Sequence, residues 1–305
     1  MRARLLTFVL AAGIALSQTS CLKKIIFDGT VSSTRRGSGA LDTVADYELA
    51  RIAASAGLAQ FEGMHRLGPQ NTDALFLLTK AWVSYGFAFC EDDYDAATDA
   101  GNDDLAEYHK RRAKMAYERA VFYGLELMGH SADGFDAARK NDETFKNWLN
   151  ANFDNKEDAE TLFWTGYAWL ARVNISKDDP ALVGDLFIGI DMLEKSRQLD
   201  EAYNHYTVLT ALAAYHARTA MSEMDEAQKL FEDALTKTEH KTLLVQLNYA
   251  TRYACNKGDK ALYDKLLNEV LTADDPDPQQ RLSNAVAKRR AKRALTKVRM
   301  DNCSF

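Results

Sequence analysis

Proline is scarce in this chain of 305 residues: only four occur, and each lies at a break between apolar segments with helical periodicity. Because proline interrupts helices, this distribution favours long helices. The alternation of period two that marks strands is almost absent. Neither sign of charge dominates, since 38 Lys and Arg oppose 44 Asp and Glu and leave a net charge of −6. A weakly acidic chain does not favour nucleic acid as a partner.

Motifs of catalysis and of metal binding are also lacking. The six histidines form no His-Glu-x-x-His pair, and no Gly-x-Ser-x-Gly or phosphate-cradling Gly-x4-Gly-Lys-Ser/Thr sequence occurs. No Cys-x-x-Cys spacing suggests a zinc site, and the three cysteines after Cys21 cannot all pair, which leaves a Cys255 to Cys303 disulfide open. We therefore expect no enzyme, no cofactor and no metal; a hydrolase with an unrecognised site is an alternative.

The longest apolar run stands at the N terminus. Two arginines precede the uncharged residues 5–16, and small or polar residues then lead to Cys21. The run is too short for a membrane-spanning helix, which needs about 18 or more apolar residues, and is typical of a secretory signal. We expect residues 1–20 to be a lipoprotein signal peptide and Cys21 to be acylated. Gln18 stands where a lipobox usually has Leu, so ordinary secretion with a Cys21 thiol is the alternative.

The segment after the signal differs in composition from the rest of the chain. Residues 21–41 are rich in Ser, Thr and Gly, which predicts a flexible tether. Residues 42–300 carry apolar side chains at helical spacing almost throughout. We expect these residues to form the folded domain.

Within that domain, several predicted second helices of a pair share a small, large, small pattern. It reads Ala113, Tyr117, Ala120 in one helix and Ala227, Phe231, Ala234 in another. Tetratricopeptide repeats, with a period of about 34 residues, use this spacing because two small side chains let neighbouring helices approach. We predict an all-α fold, an irregular tetratricopeptide-like array of helical hairpins forming an α-α superhelix. A compact helical bundle is the alternative.

Two charged segments stand out. Residues 91–104 are acidic but lack the ligand spacing of a calcium loop, and we interpret them as a solvated loop or as a rim that meets a basic partner. The last predicted helix, 279–300, is rich in Arg and Lys. We interpret it as a solvated face, or else as a surface for anionic headgroups or an acidic subunit.

Particular strings resemble one known family, the TatT lipoproteins, which are the T-components associated with tripartite ATP-independent periplasmic (TRAP) transporters. The strings lie at 46–51, 87–93, 166–180, 230–235 and 284–293. The Asn-Ile-Ser-Lys-Asp-Asp-Pro loop and the closing Ala-Lys-Arg-Arg-Ala-Lys-Arg helix are the most specific of them, and the likeness covers about residues 42 to 296. The sequence departs from relatives at 202–206, where they often carry a Tyr- and Gly-rich turn.

The resemblance implies a periplasmic lipoprotein, anchored by its acyl chains to a membrane and expected at the outer membrane. It implies a homotrimer of tetratricopeptide-like hairpins that binds the extracytoplasmic solute-binding subunit and an apolar ligand, without catalysis. The alternative is a general periplasmic scaffold for envelope assembly that carries no ligand.

Candidate binding residues come from an aromatic cluster and from the loop just named. Wide aromatic rings at helical spacing line apolar cavities or simply pack between hairpins. We take the following as candidates for ligand or partner binding: Tyr85, Phe87, Phe89, Trp164, Tyr167 and Asn174. Asn174 is included mainly because of the resemblance.

Overall fold

A computed structural model describes residues 22–218 and 223–305 of the chain. The described ranges contain helices and no strand, so the predicted all-α fold is confirmed. The helices are α1 (22–37), α2 (Tyr47–Leu67), α3 (Thr72–Tyr85), α4 (Glu91–Asp99), α5 (Asp103–Met128), α6 (Phe135–Ala138), α7 (Asp142–Asn152), α8 (Asp158–Ile175), α9 (Pro180–Gly184), α10 (Leu186–Asp200), α11 (Tyr203–His216), α12 (Met224–Lys237), α13 (Leu243–Asn248), α14 (Cys255–Lys257), α15 (Lys260–Thr272), α16 (Arg281–Ala294) and α17 (Lys297–Asn302). Short 3-10 turns lie at Ser38–Thr43 and Pro278–Gln280, and π-helical turns at Gly86–Cys90 and Tyr249–Ala254.

Capping side chains mark where many of these helices begin. Asp46 accepts hydrogen bonds from the first backbone N–H groups of α2, and Asn71 does so for α3. Asn102, Asn141 and Asp259 cap α5, α7 and α15 in the same way. Each cap satisfies an N–H group that has no partner within its own helix and contributes about 1 kcal/mol.

The helices pack on their neighbours in chain order and then return to the start. α3 packs on α5, α5 on α8, α8 on α10, α10 on α11 and α11 on α12. The π turn Tyr249–Ala254 packs on α12 and α15, and α15 packs on α16. α16 in turn contacts α2 and the 3-10 turn Ser38–Thr43. The array therefore closes on itself, and the inner faces of α3, α8 and α16 look onto a common space.

Small residues allow the closest helix approaches. A Cβ atom on Gly166 of α8 would lie 2.9 Å from the carbonyl oxygen of Gly189 on α10, so only glycine fits at this crossing. Ala227, Phe231 and Ala234 of the small, large, small pattern are all completely buried. This packing is compatible with a tetratricopeptide-like array.

The segment expected to be a flexible tether, 21–41, instead contains α1. Residues 22–37 are helical and are held against the body. Val31 is fully buried, and the Arg35 guanidinium lies 2.7 Å from the Asp73 carboxylate of α3. The composition suggested a linker because the partners that order this segment are distant in sequence.

The three cysteines that the structure describes take two states, a disulfide and a buried thiol. Cys255 and Cys303 form a disulfide with Cα atoms 4.9 Å apart, which joins α14 to the residue after α17. Cys90 is a buried thiol whose pKa is raised to about 11 by burial. Cys21 lies outside the described residues together with the predicted signal peptide 1–20, so its acylation stays a prediction.

Candidate functional site

The closed array surrounds a cavity of about 150 Å³, which we name the central cavity. Its aromatic wall comes from the π turn after α3 and from α8, and consists of Phe87, Phe163, Trp164 and Tyr167. Polar side chains from the start of α11, from the turn before α13 and from the start of α16 line the remainder: Asn204, His205, Thr207, Thr242, Gln279, Gln280 and Ser283. The cavity thus has an apolar wall opposed by hydrogen-bonding groups.

The aromatic wall is ordered by contacts among its own rings. Phe163 and Tyr167 lie one turn apart on α8 with ring centroids at 5.9 Å, and the Phe87 ring meets Tyr167 edge-on at 6.3 Å. The indole N–H of Trp164 donates a hydrogen bond to the Tyr203 hydroxyl at 2.8 Å. Burial raises the pKa of Tyr167 to about 12, so its hydroxyl is neutral near pH 7.

The polar side of the cavity contains a strained turn. Asn204, His205 and Tyr206 have φ angles of 49°, 55° and 57°, which is the left-handed region. For residues other than glycine this conformation costs roughly 1–2 kcal/mol each, and such strain is concentrated at functional sites. The His205 ring nitrogen lies 3.9 Å from the Asp277 carboxylate. None of these residues was among the predicted site residues, although the sequence departs from relatives at 202–206.

A second cavity of about 390 Å³ lies beside the first, and we name it the apolar cavity. It is enclosed by the 3-10 turn Ser38–Thr43, by α2 and by α3 with its π turn. Its larger apolar lining residues are Leu41, Val44, Phe61, Leu77, Tyr85, Phe89 and Leu282. The Tyr85 hydroxyl accepts a hydrogen bond from the Arg112 guanidinium at 2.9 Å, which leaves the ring facing the cavity as an apolar surface.

One wall is common to both cavities. Lys80, Asp42, Ser84, Ala88 and Leu282 line each of them. The Lys80 ammonium lies 3.3 Å from the Asp42 carboxylate and 5.6 Å from the centre of the Trp164 ring. Because Asp42 balances the charge of Lys80, the shared wall adds polarity without a net charge.

The structure divides the predicted aromatic cluster between these two cavities. Phe87, Trp164 and Tyr167 line the central cavity, whereas Tyr85 and Phe89 line the apolar cavity. Tyr85 and Phe89 are about one helical turn apart, so Phe87 between them faces the other way. Asn174 is exposed in the last turn of α8 and lines neither cavity.

The acidic segment 91–104 is mainly a helix, α4, and not the expected solvated loop. Its carboxylates meet the arginines of the last two helices in a set of ion pairs that we name the closing network: Glu91, Asp92, Asp95, Asp99, Arg289, Arg290, Arg293 and Arg299. The basic face expected to be solvated is therefore engaged within the chain. The reason is that a buried carboxylate needs an opposite charge beside it.

Asp92 is the centre of the closing network. It is fully buried, and its carboxylate accepts hydrogen bonds from Arg289 at 2.5 Å and from Arg293. Burial by itself would raise the pKa of Asp92, but the hydrogen bonds from the two guanidinium groups outweigh it and hold the pKa below its usual value. The Tyr47 hydroxyl of α2 lies 3.2 Å from the Asp92 carboxylate and 2.9 Å from the Ala88 carbonyl oxygen, and these two acceptors share its single proton. These contacts fasten α16, which carries the shared residue Leu282, against α2 and α4.

The lining of the two cavities has the general composition of a small-molecule site. Aromatic and aliphatic walls bury an apolar ligand, and a few hydrogen-bonding groups fix its orientation. Among residues 22–218 and 223–305, no group of three or more His, Cys, Asp or Glu side chains is placed to hold a metal ion.

Comparison with known proteins identifies one family. A family model described as TRAP transporter T-component matches residues 43–300. No curated protein matches the chain. In the part of the chain that the structure describes, no helix is both long and apolar enough to cross a membrane.

Proposed function

Because the chain belongs to the TRAP transporter T-component family, we propose that this accessory component of a TRAP transporter binds the solute-binding subunit and holds an apolar ligand. The observation that carries the proposal is the family match over residues 43–300, which spans nearly the whole helical array. The accessory role of this chain follows from the family to which it belongs. Its contacts with the solute-binding subunit and with a ligand are our proposal. The role requires no catalysis.

The two adjoining cavities support ligand binding. Together they offer an apolar space of a size that suits a small organic molecule, and Asn204, Thr242 and Gln280 supply hydrogen-bonding groups on one side of it. The cation in the shared wall, Lys80, is already balanced by Asp42. An uncharged or weakly polar ligand therefore fits the site better than a strongly charged one.

An exposed stripe on α5 supports an interface with other chains. Tyr108, Met115 and Phe122 recur every seven residues, so they share one side of the helix, and they are 50%, 60% and 56% exposed. Exposed apolar residues in a row favour a protein interface over solvent. We propose that this stripe lies in the homotrimer or against the solute-binding subunit.

The predicted acyl group on Cys21 completes the proposal. An acylated cysteine would hold the array at the periplasmic side of a membrane, which we take to be the outer membrane. This location would place the array where the solute-binding subunit moves.

A transport assay tests the accessory role. A strain that lacks only this chain should lose most uptake of the solute carried by its TRAP transporter, and the wild-type chain should restore that uptake. Unchanged uptake, together with assembly defects in the envelope, would instead favour the general scaffold.

A fluorescence assay tests the ligand site. The neutral probe N-phenyl-1-naphthylamine should bind the purified chain, and Ala54→Phe should weaken binding at least tenfold because Ala54 lines the apolar cavity. Ala59→Phe, an exposed position on the same helix, is the matched control and should bind like wild type. Equal binding by both variants would exclude the apolar cavity as the site.

A further inference from the structure

The N-terminal helix α1 is fixed to the body and ends in an exposed tip. Asp28 accepts a hydrogen bond from the Asn71 side chain at 2.8 Å, and Phe27 and Val31 pack against α3. Arg35 adds ion pairs with Asp73 and Glu160. The turn of α1 that precedes Phe27 is thus held in a set direction relative to the two cavities.

Apolar side chains cover that turn. Leu22, Ile25 and Ile26 are 58%, 67% and 61% exposed, and their spacing places them on one face of α1. Leu67, at the end of α2, is 78% exposed and directly precedes Gly68, whose backbone touches the Phe27 ring. We name these four exposed residues the apolar tip.

Basic side chains surround the apolar tip. Lys23 and Lys24 on α1 and Arg66 on α2 are all exposed. Apolar residues ringed by cations are the pattern of a segment that lies in the boundary of an anionic bilayer, with the apolar atoms among the acyl chains and the cations near the headgroups. Lysine is depleted in protein–protein interfaces, so Lys23 and Lys24 beside the apolar residues favour a lipid surface over a protein partner.

We propose that the apolar tip inserts into the surface of an anionic lipid bilayer and so sets the distance and orientation of the array on the membrane. The inference rests on the proposed acylation of Cys21, because Leu22 is the next residue and acyl chains would bring this tip to the bilayer. The array is then seated on the membrane by a rigid helix and does not hang from a flexible linker.

Depth-dependent fluorescence quenching, measured on the full chain, tests whether the apolar tip inserts into the bilayer. In the described residues, Cys90 is buried and the other two cysteines are bonded, so a fluorophore can be placed selectively on Ile25→Cys when Cys21 is acylated or replaced by Ser. Purified protein is bound to vesicles of phosphatidylglycerol and phosphatidylcholine that contain brominated acyl chains. Ser33→Cys, an exposed position on the same helix about 12 Å further along, is the matched control.

The label at position 25 should be quenched several-fold more than the label at position 33. Lys23→Gln with Lys24→Gln should weaken recruitment to the anionic vesicles about fivefold per lysine removed when the acyl chains are absent. Equal, weak quenching at both positions on vesicle-bound protein would overturn the proposal. If added oxidant forms a disulfide between two copies of the unlabelled Ile25→Cys variant, and the labelled variant shows no quenching, the proposal is overturned in favour of a second copy.

Mass spectrometry separates this inference from the acylation on which it rests. If Cys21 carries no acyl chains, the anchoring part of the proposed function fails. The quenching measurement still tests whether the apolar tip inserts into the bilayer, because Lys23, Lys24 and Arg66 recruit the chain to anionic vesicles by charge.

Discussion

Replacing Asp92 by Asn tests whether the closing network holds the array shut. Asp92 is fully buried on α4 and accepts hydrogen bonds from Arg289 and Arg293 on α16, about 200 residues away in sequence. Asn has the same shape but carries no charge. The substitution therefore leaves two guanidinium groups without their shared carboxylate.

Removal of one partner from a buried ion pair typically costs about 3 to 5 kcal/mol. Arg289 is 45% exposed, so water compensates for part of its loss, whereas Arg293 is only 14% exposed. We accordingly expect Asp92→Asn to lower the free energy of unfolding by about 3 kcal/mol. Urea unfolding followed by circular dichroism measures this directly.

The pairing of Asp92 with Arg289 and Arg293 also predicts how the stability of the fold depends on pH. The pKa of Asp92 is lowered in the folded state, so its stabilisation is complete above the unfolded value of 3.8 and is lost as the pH falls through the folded pKa. The difference in stability between wild type and Asp92→Asn should therefore narrow below about pH 4. Asp301→Asn, which breaks an exposed pair with Lys297, is the control and should cost about 1 kcal/mol or less. The reasoning would be refuted if Asp92→Asn lowered the free energy of unfolding no more than Asp301→Asn does. It would also be refuted if the difference in stability between wild type and Asp92→Asn did not narrow below about pH 4.

Three further predictions concern other parts of the array. Gly166→Ala should destabilise the protein by about 1 to 3 kcal/mol in urea unfolding, because its Cβ would press on the α10 backbone. Gly63→Ala, with open space around it on α2, is the control and should stabilise the protein slightly. Equal effects of the two substitutions would count against the close approach of α8 and α10. Reduction of the disulfide between Cys255 and Cys303, which are 48 residues apart, should cost about 4 kcal/mol in the same assay, and no change on adding reductant would contradict the pairing. Burial raises the pKa of Asp191 to about 7, so the free energy of unfolding should decline as the pH rises from about 4 to 7. Asp191→Asn should make this decline shallower. Identical plots of unfolding free energy against pH for wild type and variant would exclude a contribution from Asp191.

The helices were largely predictable because their signals are local. Asn71 and Asp259 lie immediately before apolar residues at helical spacing, and both cap helices in the structure. The small, large, small pattern likewise depends on neighbours within one helix. Such features need no knowledge of which distant segments meet.

The closing network could not be predicted in the same way. The acidic run looked like a solvated loop, since nothing near Asp92 in sequence balances its charge, and the basic run at 284–293 looked like a solvated face. Each segment was interpreted alone, whereas their pairing depends on closure of the array. The order of α1 was missed for the same reason, because Arg35 finds Asp73 only after the chain folds.

The candidate site was predicted in part. The aromatic residues of α3 and α8 do line cavities, but the division of the cluster between two cavities depends on the π turn Gly86–Cys90. The left-handed turn at Asn204 to Tyr206 has only a weak local signal, because Asn and His are enriched in this conformation but Tyr is not. Whether these residues bind a ligand is a prediction for the assays above.

The proposed role depends most on a complex with the solute-binding subunit of the TRAP transporter. Sedimentation velocity of the purified array, alone and mixed with that subunit, measures the complex directly. We predict that the array alone sediments as a trimer and that the mixture forms a faster, saturable complex. An array that sediments as a monomer, and whose boundary is unchanged by excess subunit, would contradict the account.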